Sequence, residues 1–564
     1  MKKLLLLIGF LFLSTPLVFA QYTDYNLVKE VQVKNKGVVV SAFPIASEVG
    51  AKILRQGGNA FDASIATQYA LAVVYPQAGN IGGGGFMVAT TEEGKKCTID
   101  FRETAPLKSD KDMYLDAEGN ANTHLSQYGS LAAGVPGAVA GLFEMHTYAK
   151  LPMAQLIQPA IDLAEKGYAI TQDQADLFNT YKDDFVRLNK HSIPFVKNLA
   201  WEADDILVQQ ELAQTLKLIQ QKGLKGFYRG KTANLIVKEM KRDNGIISLA
   251  DLKQYKVIER EPLIFDYKGH EVVTMPLPSS GGILLAQMLH MTNLVGLEDK
   301  QLNSPGAVQL IVEAERRAYA DRAEYMGDPD FIKDQTEMLI SKMYLKQRFA
   351  NYNPEKATPS SEVGDIIKPQ KEGKETTHIS VLDKAGNAVS VTTTLNGNFG
   401  SKVMVSGAGF LLNNEMDDFS VKPGVPNMYG AIGGKANAIA PKKRMLSSMA
   451  PTILLKDNKP FMVVGTPGGT TIPTSVFQAI VDIIDFGTDA STAVNAPKFH
   501  QQWLPEYILV EEDFPNYTIR ALEKMGYTFK KTAKIGRTEL ILVDKDGNYH
   551  AVADGRGDDS VGVE

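Results

Sequence analysis

Cysteine is nearly absent. Cys97 stands alone among 564 residues, which excludes an internal disulfide and leaves burial of apolar surface to hold the chain together. A basic surface is missing too: 60 Lys and Arg face 65 Asp and Glu, a net charge of −5, so nucleic acid is not an expected partner. The 8 histidines are scattered, with no H-x-x-x-H pair and no C-x-x-C, so neither a catalytic transition metal nor a cofactor is expected. A hard cation held by carbonyls and carboxylates leaves no such mark and stays open. Long apolar runs are lacking as well. The longest candidate, residues 4–13, falls short of the roughly 20 residues that span a bilayer, so no membrane span is expected.

That short run has another use. Lys2 and Lys3 precede it, Pro16 and the small-residue exit Val18-Phe19-Ala20 follow it, and together they form a secretory signal peptide over residues 1–20. Cleavage is expected after Ala20, with a periplasmic or secreted product. No cysteine follows to carry a lipid anchor.

The remaining chain divides at a change of composition. Residues 21–375 form a first part with helical spacing over 46–54, 60–74, 154–166, 207–221, 283–295 and 307–325. Within it, 86–89 and 97–101 read as a hairpin and 263–275 as an extended segment ending in the rigid turn Pro276-Leu277-Pro278-Ser279-Ser280-Gly281-Gly282. From 351 to 375 the chain turns to Pro, Ser, Lys and Glu and reads as a linker. The second part, 376–564, repeats strand, Gly or Asn turn, strand: 377–382 with 388–394, 452–455 with 461–465, and 540–543 with 549–553. Helices over 472–485 and 517–525 carry one apolar stripe each. Antiparallel hairpins covered by helices in both parts predict an α+β sandwich of two central sheets between helical layers.

The chemistry begins at Thr376, a hydroxyl at a strand start directly after the linker. Most strand threonines are only β-branched strand formers. Here, though, a strained bond between Glu375 and Thr376 can undergo an N-to-O acyl shift onto Oγ, and the freed amine can then serve as base. Gly465-Thr466-Pro467-Gly468-Gly469-Thr470 precedes a helix, so its amides suit an oxyanion or a phosphate, or form a plain turn; no P-loop lysine follows. Asp100-Phe101-Arg102-Glu103 offers either a fork for a carboxylate or a surface ion pair. Asn414-Glu415-Met416-Asp417-Asp418 can hold an ammonium, bind calcium or be solvated, and Ser447-Ser448 says nothing alone. Taken together they fit an amino acid acylated through its side chain.

These blocks carry a resemblance. With Gly79-Asn80-Ile81-Gly82-Gly83-Gly84-Gly85-Phe86-Met87, Pro278-Ser279-Ser280-Gly281-Gly282, Thr376-Thr377-His378, Leu412-Asn413-Asn414-Glu415-Met416-Asp417-Asp418-Phe419 and Leu446-Ser447-Ser448-Met449 in order, the chain resembles the γ-glutamyltranspeptidases, members of the amino-terminal-nucleophile (Ntn) hydrolases, over nearly its whole length. The resemblance implies a four-layer αββα fold and autocatalytic cleavage of a precursor into a large subunit ending at Glu375 and a small subunit starting at Thr376. It further implies Thr376 as nucleophile, Thr394 orienting it, and Gly468 and Gly469 as oxyanion hole. Arg102, Ser447 and Ser448 are expected on the substrate α-carboxylate, Asn396, Glu415 and Asp418 on its α-amino group, and Tyr429 on a lid loop. The implied substrates are glutathione and other γ-glutamyl compounds, with amino acids, dipeptides or water as acceptors. Two other readings remain: a glutaryl or cephalosporin acylase of the same superfamily, whose acyl group lacks the α-amino charge, and a non-catalytic solute-binding protein.

Overall fold

The computed structural model describes residues 25, 27–364, 376–428 and 430–564, and its centre is a pair of seven-stranded sheets. In spatial order the first sheet runs Ser560–Val563, Val38–Ser41, Thr377–Leu382, Ala388–Thr394, Gly84–Thr90, Lys96–Asp100 and Ile258–Arg260. The second runs Glu30–Lys34, Asn548–Val552, Glu539–Val543, Lys459–Gly465, Thr452–Lys456, His270–Thr274 and Leu263–Tyr267. Every adjacent pair in both is antiparallel.

Strand periodicity sorts the side chains between two cores. Val39, Met87, Ile379, Val381, Val389 and Val391 join a cluster with the helices outside the first sheet. Their neighbours Val38, Val40, Phe86, Val88 and Leu382 point the other way, into a cluster shared with Val463, Ile453 and Val272 of the second sheet. Because both faces are buried, such strands read as unbroken apolar runs like Val38-Val39-Val40 rather than as alternation.

Helices Pro44–Arg55 and Ala60–Val74 cover the first sheet, with Met153–Lys166 packed against the second of them. All residues of Ala60–Val74 are buried, which explains a sequence of small and apolar residues without a polar face. Its start is fixed by a capping box, Asn59 accepting from Phe61 and Asp62 amides while Asp62 accepts from the Asn59 amide. Helices Gly281–Asn293 and Thr471–Ile484 cover the second sheet, with Pro305–Tyr325 packed on the first of them. The order helix, sheet, sheet, helix is the four-layer αββα arrangement expected from the sequence.

Three local readings change. Segment 263–275 is a hairpin, Leu263–Tyr267 and His270–Thr274, turning through Lys268 and Gly269, both at positive φ. The helix expected from 207 starts later, as Gln210–Lys222, because Leu207 pairs with Tyr168 in a two-stranded ribbon. The linker reading of 351–375 misses structure in its first half. Arg316 donates to the Thr358 carbonyl at 2.7 Å and to Ser360 Oγ at 2.8 Å, and Arg348 donates to the Val363 carbonyl at 2.6 Å. Arginine side chains satisfy this polar stretch as apolar packing would satisfy another, so composition alone misjudges it. The signal segment, Glu375 and Tyr429 lie outside the described residues.

Candidate active site

Strand register places the proposed nucleophile. Thr377 pairs with Thr393, and the ladder continues to Leu382 against Ala388. One rung beyond its start, Thr376 stands opposite Thr394, the last residue of the partner strand. Alternation puts Thr376 on the face of His378 and Ser380, which looks toward the second sheet.

His378 joins the two sheets at this level. Its ring is fully buried, with Nδ1 2.8 Å from Thr392 Oγ1 and Nε2 3.1 Å from Ser380 Oγ. Ser380 Oγ reaches across to the Glu539 carbonyl, and Ser390 Oγ to that of Val464. The ring lies against Gly465, where a Cβ would fall 2.1 Å from its Cε1, so glycine there makes room for the imidazole. Burial lowers the His378 pKa to about 3, and the ring is a neutral spacer at physiological pH.

Beyond Gly465 the chain turns through Thr466 to Thr470 into helix Thr471–Ile484. Gly468 and Gly469 adopt φ of 141° and 58°, and a Cβ on Gly468 would stand 2.4 Å from Thr471 Oγ1. Their carbonyls accept from the Thr471 and Ile472 amides. Neither of their own N–H groups donates to a partner among the described residues. Two amides without a partner among those residues stand before a helix amino end, and Gly469 lines the cleft that holds Thr376, an arrangement suited to a developing oxyanion.

The charged groups gather around Arg102, which follows strand Lys96–Asp100 and is 1% exposed. Its Nε donates to the Met445 carbonyl at 3.3 Å and its Nη2 to Asp418 Oδ2 at 2.5 Å. Nη1 stands 2.6 Å from Glu415 Oε2 and 3.7 Å from Glu103 Oε2. Neither Glu415 oxygen receives a directed hydrogen bond among the described residues, so that contact is an ion pair held by position. Burial opposes the charge on Arg102, but Glu415, Asp418 and Glu103 outweigh it and hold the guanidinium protonated. Three carboxylates share that one cation. Burial, against the pull of Arg102, raises the Glu103 pKa to about 8. Glu415 is also pushed well up, by burial first and then, against the pull of Arg102, by Glu103 and Asp418.

Neighbouring contacts fix the rest. Asn427 Nδ2 donates to Asp418 Oδ1 at 2.9 Å. Asn396, at φ 75°, donates its amide to Thr394 Oγ1 at 2.8 Å and its side chain to the Asn414 carbonyl at 3.0 Å. The Ser447 carbonyl accepts from both the amide and Oγ of Ser280, at 2.8 and 2.7 Å. This gives the Pro278 to Gly282 turn a purpose that its sequence did not reveal: it braces the serine pair.

A cleft of about 330 Å³ brings together Thr376, Thr394, Asn396, Arg102, Asp418, Ser447, Ser448 and Gly469. Glu415 lies behind Arg102, and Gly468 faces a larger neighbouring cleft of about 1060 Å³ lined also by Gln77 and Arg537. Sequence reasoning missed Arg322, Asn427, Ala431, Met449, Thr470 and Ile472, which complete the wall. Arg322 had a signal: it recurs with Arg316 and Arg317 on a helix whose central residues are buried on all sides, where charge needs a reason.

Comparison with known proteins agrees with this geometry. A family model described as Gamma-glutamyltranspeptidase matches residues 46–563. The glutathione hydrolase proenzyme of Escherichia coli (strain K12) is 44% identical over 533 residues, 93% of this chain and 91% of that protein. The glutathione hydrolase proenzyme of Pseudomonas sp. (strain A14) is 47% identical over 511 residues, 90% and 89% of the two. Among solved structures, cephalosporin acylase from Bacillus halodurans aligns with a TM-score of 0.82 at 26% identity, over 96% of this chain and 98% of that one. With its Ntn-hydrolase layering and a family match that runs through every block of the cleft, the chain belongs to the gamma-glutamyltranspeptidase family.

Proposed function

We propose that the chain is a self-cleaving precursor of a γ-glutamyltransferase that also hydrolyses glutathione, with Thr376 as nucleophile. The observation that carries this is one cleft holding Thr376 beside Arg102, Asp418, the serine pair and Gly469. In processing, Thr376 Oγ attacks the Glu375 carbonyl carbon, the C–N bond breaks to leave an ester and a free amine, and water hydrolyses the ester. In turnover, Oγ attacks the γ-carbonyl of the donor while the Thr376 amine takes its proton. The oxyanion is met by the Gly468 and Gly469 amides, and collapse expels the leaving amine with the proton returned from the ammonium. Water or an acceptor amine then attacks the γ-glutamyl ester and regenerates the hydroxyl.

The donor's two charges set specificity. Asp418 opens to the cleft next to Asn396 and supports an α-ammonium site, with Glu415 behind it. The Asp418 carboxylate, backed by Glu415, favours γ-glutamyl over glutaryl donors and so argues against the acylase reading, even though an acylase shares the fold. Amino acids and dipeptides are the proposed acceptors, and Tyr429, between the cleft residues Asn427 and Ala431, the proposed lid residue. Export through a signal peptide cut after Ala20 is proposed as well. No helix among the described residues is long and apolar enough to cross a membrane.

Mass spectrometry of the purified protein tests the proposal directly. Two fragments meeting between Glu375 and Thr376 are expected, with Thr376→Ala uncut and inactive and Thr376→Ser cut more slowly. Full activity in an intact chain or in Thr376→Ala would sink it, and faster turnover of glutaryl than γ-glutamyl anilide would move the chain to the acylases.

A further inference from the structure

One lysine near the start of the chain reaches the edge of the larger cleft. Lys29, half-buried just ahead of strand Glu30–Lys34, points its ammonium into loop 554–559 and donates to the carbonyls of Asp554, Gly557 and Asp559 at 2.9, 2.7 and 2.8 Å. That is one carbonyl for each ammonium proton. The loop runs from strand Asn548–Val552 of the second sheet to Ser560–Val563 of the first, so it crosses between the sheets. Backbone bonds flank the contact, with Ala553 donating to the Lys29 carbonyl and Val561 to that of Val28.

Three carbonyls that converge on one point repel one another unless a cation sits among them, and leaving them unpaired is costly. The other cations nearby are engaged: Arg537 meets the Asp559 carboxylate at 2.9 Å through both Nε and Nη2, and Arg556 meets Glu511 at 2.6 Å. The loop that Lys29 shapes is a wall. Arg556, Gly557 and Asp558 line the cleft of about 1060 Å³ together with Gly468 and Gln77. A bonded path also runs from Asp559 to the glycine turn: Arg537 donates its amide to Thr466 Oγ1 at 2.8 Å, and that hydroxyl donates to the Pro467 carbonyl at 2.8 Å, just before Gly468. Thr376 and the groups proposed for the donor's charges fill the narrower cleft, so the amine half of the reaction is left the space on the Gly468 side. Gln77 suits that use, being 4% exposed with an Oε1 that no donor meets among the described residues.

We propose that Lys29 is a positioning residue for the acceptor: its ammonium holds loop 554–559 in the shape that makes it one wall of the larger cleft. The proposal rests on the transferase reading. It gives the start of the first fragment a part in the second half of the reaction and none in holding the donor.

The test uses processed Lys29→Cys enzyme, alkylated either with bromoethylamine, which rebuilds an ammonium at nearly the length of lysine, or with iodoacetamide, which leaves a neutral side chain. Burial pushes the native Cys97 thiol up to about 11, so the introduced thiol is the one that reacts. With γ-glutamyl p-nitroanilide as donor, the neutral form is expected to raise the KM for glycylglycine about 10-fold, as loss of charge-assisted hydrogen bonds implies. Its kcat/KM for hydrolysis without acceptor should stay within about 3-fold of wild type, and the rebuilt ammonium should bring the acceptor KM back to within about 3-fold. An acceptor KM that does not move, a hydrolysis that falls as far, or no recovery with bromoethylamine would overturn the assignment. Should Lys29→Cys fail to fold, Lys29→Arg makes the comparison, since its planar fork keeps the charge but cannot meet three converging carbonyls. A rise confined to the acceptor KM supports the assignment, and an unchanged KM or an equal loss in hydrolysis overturns it. Wild-type enzyme that releases no p-nitroaniline, or passes nothing to glycylglycine, would instead refute the underlying reading, which separates the two failures.

Discussion

Replacing Gly83 by alanine tests whether the glycine run exists to bring one strand against the end of another. A Cβ there would stand 2.0 Å from the Thr394 carbonyl oxygen and 2.7 Å from Asn80 Oδ1, where ordinary contact begins at 3.4 Å. Something must move by more than about 1 Å, and every candidate is tied down. The Thr394 carbonyl accepts from Asn80 Nδ2 at 3.0 Å, Asn80 Oδ1 accepts from the Gly83 amide at 2.9 Å, and the Gly83 carbonyl accepts from the Gly137 and Ala138 amides. Overpacking of this kind costs about 1–3 kcal/mol. Thr394 stands opposite Thr376, so a shift of about 1 Å should cost on the order of 100-fold in rate. The assay is release of p-nitroaniline from γ-glutamyl p-nitroanilide, alongside a denaturing gel for the extent of cleavage. Gly306→Ala is the control: its Cβ meets only Lys300 Cδ at 4.0 Å, and in a helix it should be neutral or stabilising by up to about 1 kcal/mol. A Gly83→Ala enzyme that is cut and turns over like wild type would refute the steric account.

Two buried titratable groups give pH slopes of opposite sign. Glu103 ionises near 4.5 when unfolded but keeps its proton to about 8 when folded, so its stabilising contribution is complete below pH 4.5 and drains away as pH rises to 8. Glu103→Gln removes that loss, and its thermal midpoint relative to wild type should climb between pH 5 and 8; parallel curves would contradict the shift. His378 binds a proton near 6.5 when unfolded and only near 3 when folded, so its contribution is present above 6.5 and lost as pH falls toward 3. His378→Ala should cost about 3 kcal/mol at pH 7, from the cavity and the orphaned hydroxyls, and show a shallower decline into acid in unfolding measured from pH 7 to 4.

The sequence made the fold legible where period and turn agreed. Hairpins such as 377–382 with 388–394 carried both signals, and their register placed Thr376 opposite Thr394. It failed where a long-range partner decides the local state. The edge strand Ser560–Val563 forms because Val38–Ser41 offers a free side, and the sheet Phe499–His500, Tyr507–Glu511 and Thr528–Thr532 includes a parallel pair with no turn to announce it. The site divides the same way. Arg102, Asp418 and Gly469 sit in local motifs, whereas Arg322 becomes a site residue only through helix packing that motif spacing does not encode.

That packing bears on what a cut before Thr376 can do. Residues ahead of the cut supply four strands of the first sheet and three of the second, and those after it supply the rest. Thr377–Leu382 pairs with Val38–Ser41 on one side, and Glu30–Lys34 pairs with Asn548–Val552 at the far edge of the other sheet. Separating the fragments would break those ladders and expose the core between the sheets, so cleavage frees an amine without freeing a subunit. The cleft has the same dual parentage. Arg102 and Arg322 come from the first fragment, and Thr376, Asp418, the serine pair and Gly469 from the second. Neither fragment holds both the nucleophile and the cations, so donor recognition and attack both require the fragments to remain joined.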